Sequence, residues 1–200
     1  MDLLEVVDPH ARGKGILLMK SFLVPKKDGF GRFILNCIPL SRAMRRPPPM
    51  NLPAIHDFIA AILSYEYVGL CDGTGFFYQF ELHKAIRRFF GTYLTSYRGK
   101  DGIEMVMTRL PMGWSYAPAI AQAVSNFLLR DLGLPWVDNF AVGGYSASDY
   151  EEKRQIFLDR IRRYNIEVDD PTLKPQQQFS TLGIEFDLTK KRFQIGRAHV

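Results

Sequence analysis

The segment RRPPPMNLP, residues 45–53, constrains the chain more than any other. Four of its nine residues are proline. Each one fixes φ and removes a backbone donor, so neither a helix interior nor a central strand can run through it. The 200 residues must therefore fold as a short part before this segment and a longer part after it. In the short part, GILLMKSFLVPKKDGFGRFILNCIPL reads as two strands joined by a basic turn at Lys26–Gly31. In the long part, Leu52, Ile55, Phe58, Ile59, Ile62 and Leu63 recur at helical spacing, with Asn51 as cap and Pro53 in the first turn.

Further along, YEYVGLC reads as a buried strand ending at Asp72, HKAIRRFF as a short basic helix, and GTYLTSY with IEMVMTRL as a hairpin around Arg98–Gly102. In YAPAIAQAVSNFLLRDL, positions Ala117, Ile120, Ala121, Val124, Phe127 and Leu128 make one helical face. Strands flank Asp138 and Asn139. Ser148 with Glu151 resembles a capping box opening a charged helix that runs to about Tyr164. FSTLGIEFDL and RFQIG close the chain as a hairpin. Helices alternating with antiparallel strands predict an α+β fold, with helices packed on one face of an antiparallel sheet.

Composition removes several classes. Hydrophobic content of 46% with 24% charge is that of an ordinary folded domain. No apolar stretch is long enough to span a bilayer, and the N-terminus lacks the plan of a secretory signal. Cys37 and Cys71 are the only cysteines, which argues against a disulfide framework or a zinc site and for an intracellular setting, cytoplasm or nucleus. The net charge of +5 suits a polyanionic partner, and the cations cluster. Arg12, Lys14, Lys20, Lys26, Lys27, Arg32, Arg42, Arg45 and Arg46 all fall in the first quarter.

Asp138 and Asn139 interrupt the apolar run LPWVDNFAV. A two-residue hairpin looks like this, so an ordinary turn is one reading. The other pairs Asp138 with Asp72. If their strands are neighbours, two carboxylates from distant positions meet at one sheet edge. Such a pair can hold two Mg²⁺ ions, the arrangement that activates a hydroxyl and stabilises a leaving pyrophosphate. Spacing alone leaves both readings standing.

YVGLCDGTGFFYQFEL, RLPMGWSYAPAIAQ and WVDNFAVGG, in that order, resemble the palm motifs of reverse transcriptases. FLVPKKDGFGRFILNC upstream resembles the fingers segment of that family, and STLGIEF its Leu-Gly hairpin. The likeness runs from about Ser21 to Phe186 and is most similar to retrotransposon enzymes of the tyrosine-recombinase, DIRS-like group. It implies a right-hand polymerase palm over residues 51–187, a small β-rich fingers lobe over 1–50 and a tail over 188–200, with the thumb and RNase H regions absent and left to a parent polyprotein.

The resemblance also implies roles. Asp72 and Asp138 are the metal-binding carboxylates, for Mg²⁺ or Mn²⁺. Asn139 stands beside them and Lys174 is the proton donor to pyrophosphate. Lys26 and Arg32 grip the incoming triphosphate. Phe77 is a steric gate against a ribose 2′-hydroxyl, although core packing explains a Phe there equally well. Gln79, Met112 and Gly113 line the nucleotide pocket, and Pro118 follows on the segment beneath it. The partners are an RNA or DNA template–primer and deoxynucleoside triphosphates, with no membrane.

The departures count too. Asn139 replaces the family's third carboxylate, Trp136 an aromatic that is usually Tyr or Phe, and Asn36, Ile38 and Ser41 a polar fingers triad that includes an arginine. The sequence therefore supports two expectations: a template-directed DNA polymerase core, or a diverged palm that only binds nucleic acid.

Overall fold

The structure, a computed structural model, describes residues 2–8, 15–25, 29, 31–95 and 102–196. Its elements run in the order β1 (Leu4–Val6), β2 (Leu18–Met19), β3 (Ser21–Pro25), β4 (Gly31–Leu35), α1 (Ile38–Ala43), α2 (Ile55–Ser64) and β5 (Tyr67–Asp72). A single 3₁₀ turn at Phe76–Gln79 leads to α3 (Lys84–Arg87), β6 (Gly91–Thr95), β7 (Gly102–Met107) and α4 (Ala117–Leu128). The chain finishes with β8 (Gly133–Trp136), β9 (Asn139–Gly144), α5 (Ala147–Arg163), β10 (Gln178–Thr181), β11 (Ile184–Asp187) and β12 (Arg192–Ile195). These elements form two interleaved compact units, Met1–Pro49 with Gly75–Ile120, and Met50–Thr74 with Ala121–Val200.

The first unit contains the sheet β1-β7-β6-β2 and the separate hairpin β3–β4. Leu35, Cys37, Phe90, Met107 and Leu110 form its core. Arg87, nearly buried, donates to Glu5 at 2.7 Å, to Glu81 at 2.6 Å and to the Leu82 carbonyl at 3.0 Å, so its charge is fully paired. The predicted turn at Lys26–Gly31 and the tip of the β6–β7 hairpin lie largely outside the described residues, though β6 and β7 pair antiparallel as expected. One helix escaped the sequence reading. IPLSRA folds as α1 rather than as the tail of a strand, because Pro39 sits in its first turn, where a missing donor is harmless.

The second unit is built on the antiparallel sheet β5-β9-β8. The helices were expected on one face, but the sheet is covered on both. Phe140 of β9 meets Phe157 of α5 at 5.5 Å on one side. On the other, Val68 and Ala141 pack with Phe58 and Ile62 of α2 and with Ile184 and Phe186 of the meander β10-β11-β12. Strand alternation accounts for this, since neighbouring residues of β9 point to opposite faces.

Three local expectations need correcting. The helix α2 starts at Ile55 with Ala54 at the cap and no side-chain cap bond, so Asn51 does not serve. The cap of α5 is Ser146, whose hydroxyl accepts from Asp149 N at 3.1 Å, while Asp149 accepts from Tyr145 N at 2.8 Å. This box lies two residues before the Ser148–Glu151 pair and satisfies the orphan donors of the true first turn. In α4, Ile120 and Phe127 are exposed and the buried face is Ala117, Ala121, Gln122, Ser125 and Leu128. Among the described residues, no helix is long and apolar enough to cross a membrane.

Candidate active site

Two strand ends and one turn of the second unit make the site. Asp72 is the last residue of β5 and stands opposite Asn139, the first of β9. Trp136 of β8 also pairs with Asn139, leaving Val137 and Asp138 as a two-residue turn. The turn is therefore Val137–Asp138, one position earlier than the Asp-Asn pair suggests. Val137 has φ +56° and Asp138 a negative φ, the pattern of a type II′ hairpin turn. Gly73 N donates to the Asp138 carbonyl at 2.7 Å, which ties the end of β5 to the turn.

A third carboxylate, missed in the sequence, belongs to this corner. Asp72 N donates to Asp169 Oδ1 at 2.7 Å, and Asp169 N donates back to the Asp72 carbonyl at 2.9 Å. The loop after α5 is drawn in by an isolated bridge between Gly73 and Val168. Partial withdrawal from water pushes the Asp72 carboxyl above its ordinary range, followed by the charges of Asp169 and then Asp138. Asn139 Nδ2 donates to Asp138 Oδ1 at 3.3 Å, so in this arrangement the amide supports the carboxylate through its nitrogen. Among the described residues, no group of three or more His, Cys, Asp or Glu converges tightly enough to hold a metal ion. Lys174 is exposed on the loop that carries Asp169, and its charge helps hold the Asp170 carboxyl below the usual range, after the hydrogen bonds from Thr172.

The backbone beneath Asp72 is fixed by shape. Tyr150 of α5, buried, donates its hydroxyl to the Leu173 carbonyl, and a Cβ on Gly69 would stand 2.1 Å from that hydroxyl. Only glycine leaves room for this bond in the middle of β5.

Most of the predicted nucleotide residues lie together in the first unit. Arg32 is exposed on β4, and its charge acts on Tyr78, whose hydroxyl donates to the Phe33 carbonyl. Phe77 packs against the first unit's core, so its ring is at least partly structural. Gln79 ends the 3₁₀ turn. Met112 accepts from Leu35 N at 3.3 Å. Gly113 has φ +103°, and a Cβ there would come within 2.3 Å of the Leu35 carbonyl. Its freedom is thus used for close approach to the protein's own backbone. Lys26 lies outside the described residues.

No family model matches the chain, and neither does any curated protein. Among solved structures, the fold matches a foamy viral protease–reverse transcriptase solved in complex with double-stranded DNA. The TM-score is 0.76 at 18% identity over 94% of this chain. The chain has a reverse-transcriptase-like fold. It spans 31% of the length of that viral protein. The motifs quoted above resemble the same family, whereas Asp169 left no motif to find. The nearest signal is two adjacent acids, Asp169 and Asp170, placed just before Pro171 in a loop.

Proposed function

We propose that the chain is the catalytic part of a reverse transcriptase, of retrotransposon type by its motifs, that extends a DNA primer on an RNA or DNA template. One observation carries the reading: β5 and the β8–β9 turn bring Asp72 and Asp138 to one corner, close enough for the charge of Asp138 to disfavour ionisation of Asp72. The donor set fits a hard divalent cation such as Mg²⁺ or Mn²⁺, because carboxylate oxygens predominate and their mutual repulsion is what such an ion relieves. When bound there, the metal pair supplies activation of the primer hydroxyl and stabilisation of the leaving pyrophosphate. Asp72 and Asp138 would hold it, Asn139 would keep Asp138 oriented through their hydrogen bond, and Lys174 would give a proton to the pyrophosphate. By resemblance, Lys26, Arg32, Gln79, Met112 and Gly113 serve the incoming deoxynucleotide and Phe77 rejects a 2′-hydroxyl.

A second reading is a nucleic-acid-binding palm without catalysis. It draws on Asn139, which brings no negative charge to the corner, and on the absence of a tight acidic cage among the described residues. Primer extension on a primed RNA template with Mn²⁺ separates the two, using wild type, Asp138→Ala and Asn139→Asp. The polymerase reading expects deoxynucleotide extension that is lost in Asp138→Ala and rises in Asn139→Asp. Silence in every variant, with salt-dependent template binding retained, would leave the binding module.

A further inference from the structure

The turn that carries Asp138 is built from the wrong residue. A type II′ turn wants glycine at its first position, and here it has Val137 at φ +56°. For a β-branched residue this is a strained backbone that persists only where the surroundings over-determine it.

Those surroundings are two buried polar side chains on α4. Gln122 is 1% exposed and Ser125 0%. Val137 N donates to Gln122 Oε1 at 2.7 Å. Gln122 Nε2 donates to Asn126 Oδ1 at 2.8 Å and lies 3.4 Å from the Pro135 carbonyl. Ser125 Oγ is within hydrogen-bonding distance of the Val137 carbonyl and of the Ala121 carbonyl at 3.0 Å. Both backbone groups of the strained residue are thus met by side chains from outside the hairpin. The helical face these residues occupy would hold apolar side chains in an ordinary packed helix.

We infer that Gln122 and Ser125 are positioning residues that lock Val137 at its positive φ and so fix where Asp138 is presented. The functional half of this inference rests on Asp138 being a metal ligand; the structural half does not. The clamp acts on the backbone one residue before the carboxylate and touches no reacting atom.

The test uses the full chain with five variants: Gln122→Met, which keeps the volume and loses the amide, Ser125→Ala, which removes only a hydroxyl, each of these combined with Val137→Gly, and Asp138→Ala as the control for the metal reading. Two quantities are read, hydrogen exchange of the Val137 amide by NMR and Mn²⁺ affinity by electron paramagnetic resonance. Gln122→Met is expected to speed exchange at Val137 by about tenfold or more, since its donor loses its acceptor. Mn²⁺ affinity should fall by roughly 10–100-fold, the usual effect of losing a group that orients a ligand. Val137→Gly should restore much of that affinity, because glycine adopts the turn without a clamp. A packing role for Gln122 predicts no such rescue. Unchanged exchange at Val137 in both single variants, or no recovery with Val137→Gly, would overturn the inference. If Gln122→Met does not fold, Ser125→Ala with and without Val137→Gly decides by the same readings. Mn²⁺ binding indifferent to Asp138→Ala would remove the metal reading, and the exchange arm alone would then judge the clamp.

Discussion

The two tight turns of the second unit solve the same problem in opposite ways. Between β10 and β11 the turn is Leu182–Gly183, with φ of +52° and +74°, the type I′ geometry that twists with its strands. Glycine supplies one positive φ without strain, and Leu182 is held by packing against the apolar cluster. Between β8 and β9 the turn is Val137–Asp138, where Val137 does not suit its positive φ and the restraint comes from buried hydrogen bonds. Where a turn only reverses the chain, one glycine and apolar packing suffice. Where it presents a carboxylate, local preference is overruled from outside, and such conflicts concentrate at functional sites.

The sharpest way to break this comparison is at the carboxylate itself. On the polymerase reading, Asp138→Ala should lower primer extension by at least about 100-fold, the size expected when a group stabilising transition-state charge is removed, while leaving the melting temperature within a few degrees. By contrast Asp187→Ala, at the far end of β11, should leave extension within about twofold, since its carboxylate serves the β11–β12 turn by accepting from Thr189 and Lys190 N.

Next in size is the clamp. Gln122→Met leaves the Val137 N–H without its partner and should destabilise the fold by about 1–3 kcal/mol in a denaturant titration. The corresponding test of the glycine-bearing turn is Gly183→Ala. A Cβ there meets nothing within 4 Å, so the loss should be only the left-handed penalty of about 1–2 kcal/mol, and Gly183→Asn should lose less. A larger loss at Gly183 than at Gln122 would reverse the comparison.

The smallest effect concerns charge. The Asp72 carboxyl is pushed up in the folded state, so folding becomes less favourable as pH rises through the window between its unfolded and folded values. Asp72→Asn should therefore melt higher than wild type at neutral pH, with the gain fading at pH values below the ordinary carboxylate range. An equal gain at all pH values would mean that the charge of the carboxylate, desolvated and repelled in the folded state, is not its source.

Much of this was legible in the sequence. The strand ending at Asp72, the hairpin around residue 138 and the Leu-Gly turn follow from short-range alternation and turn chemistry, which act within a few residues. What was hidden depends on distant partners. The buried face of α4 was misread because Gln122 and Ser125 look like solvent residues until the β8–β9 turn is laid over them. Asp169 was invisible because its place beside Asp72 follows from a backbone bridge between Gly73 and Val168. The start of α5 was shifted because two serine–acid pairs overlap there and only one meets the first turn.

The interleaving of the two units sets an order of birth. Asp72 leaves the ribosome roughly 65 residues ahead of its strand partner Asn139, a wait of several seconds at about 5–20 residues per second. Residues Gly75–Ile120, the whole second segment of the first unit, emerge during that wait. The first unit therefore has all its parts while β5 still lacks its central neighbour, an apolar strand with open edges in the nascent chain. The half that carries the carboxylates is the later of the two to be finished.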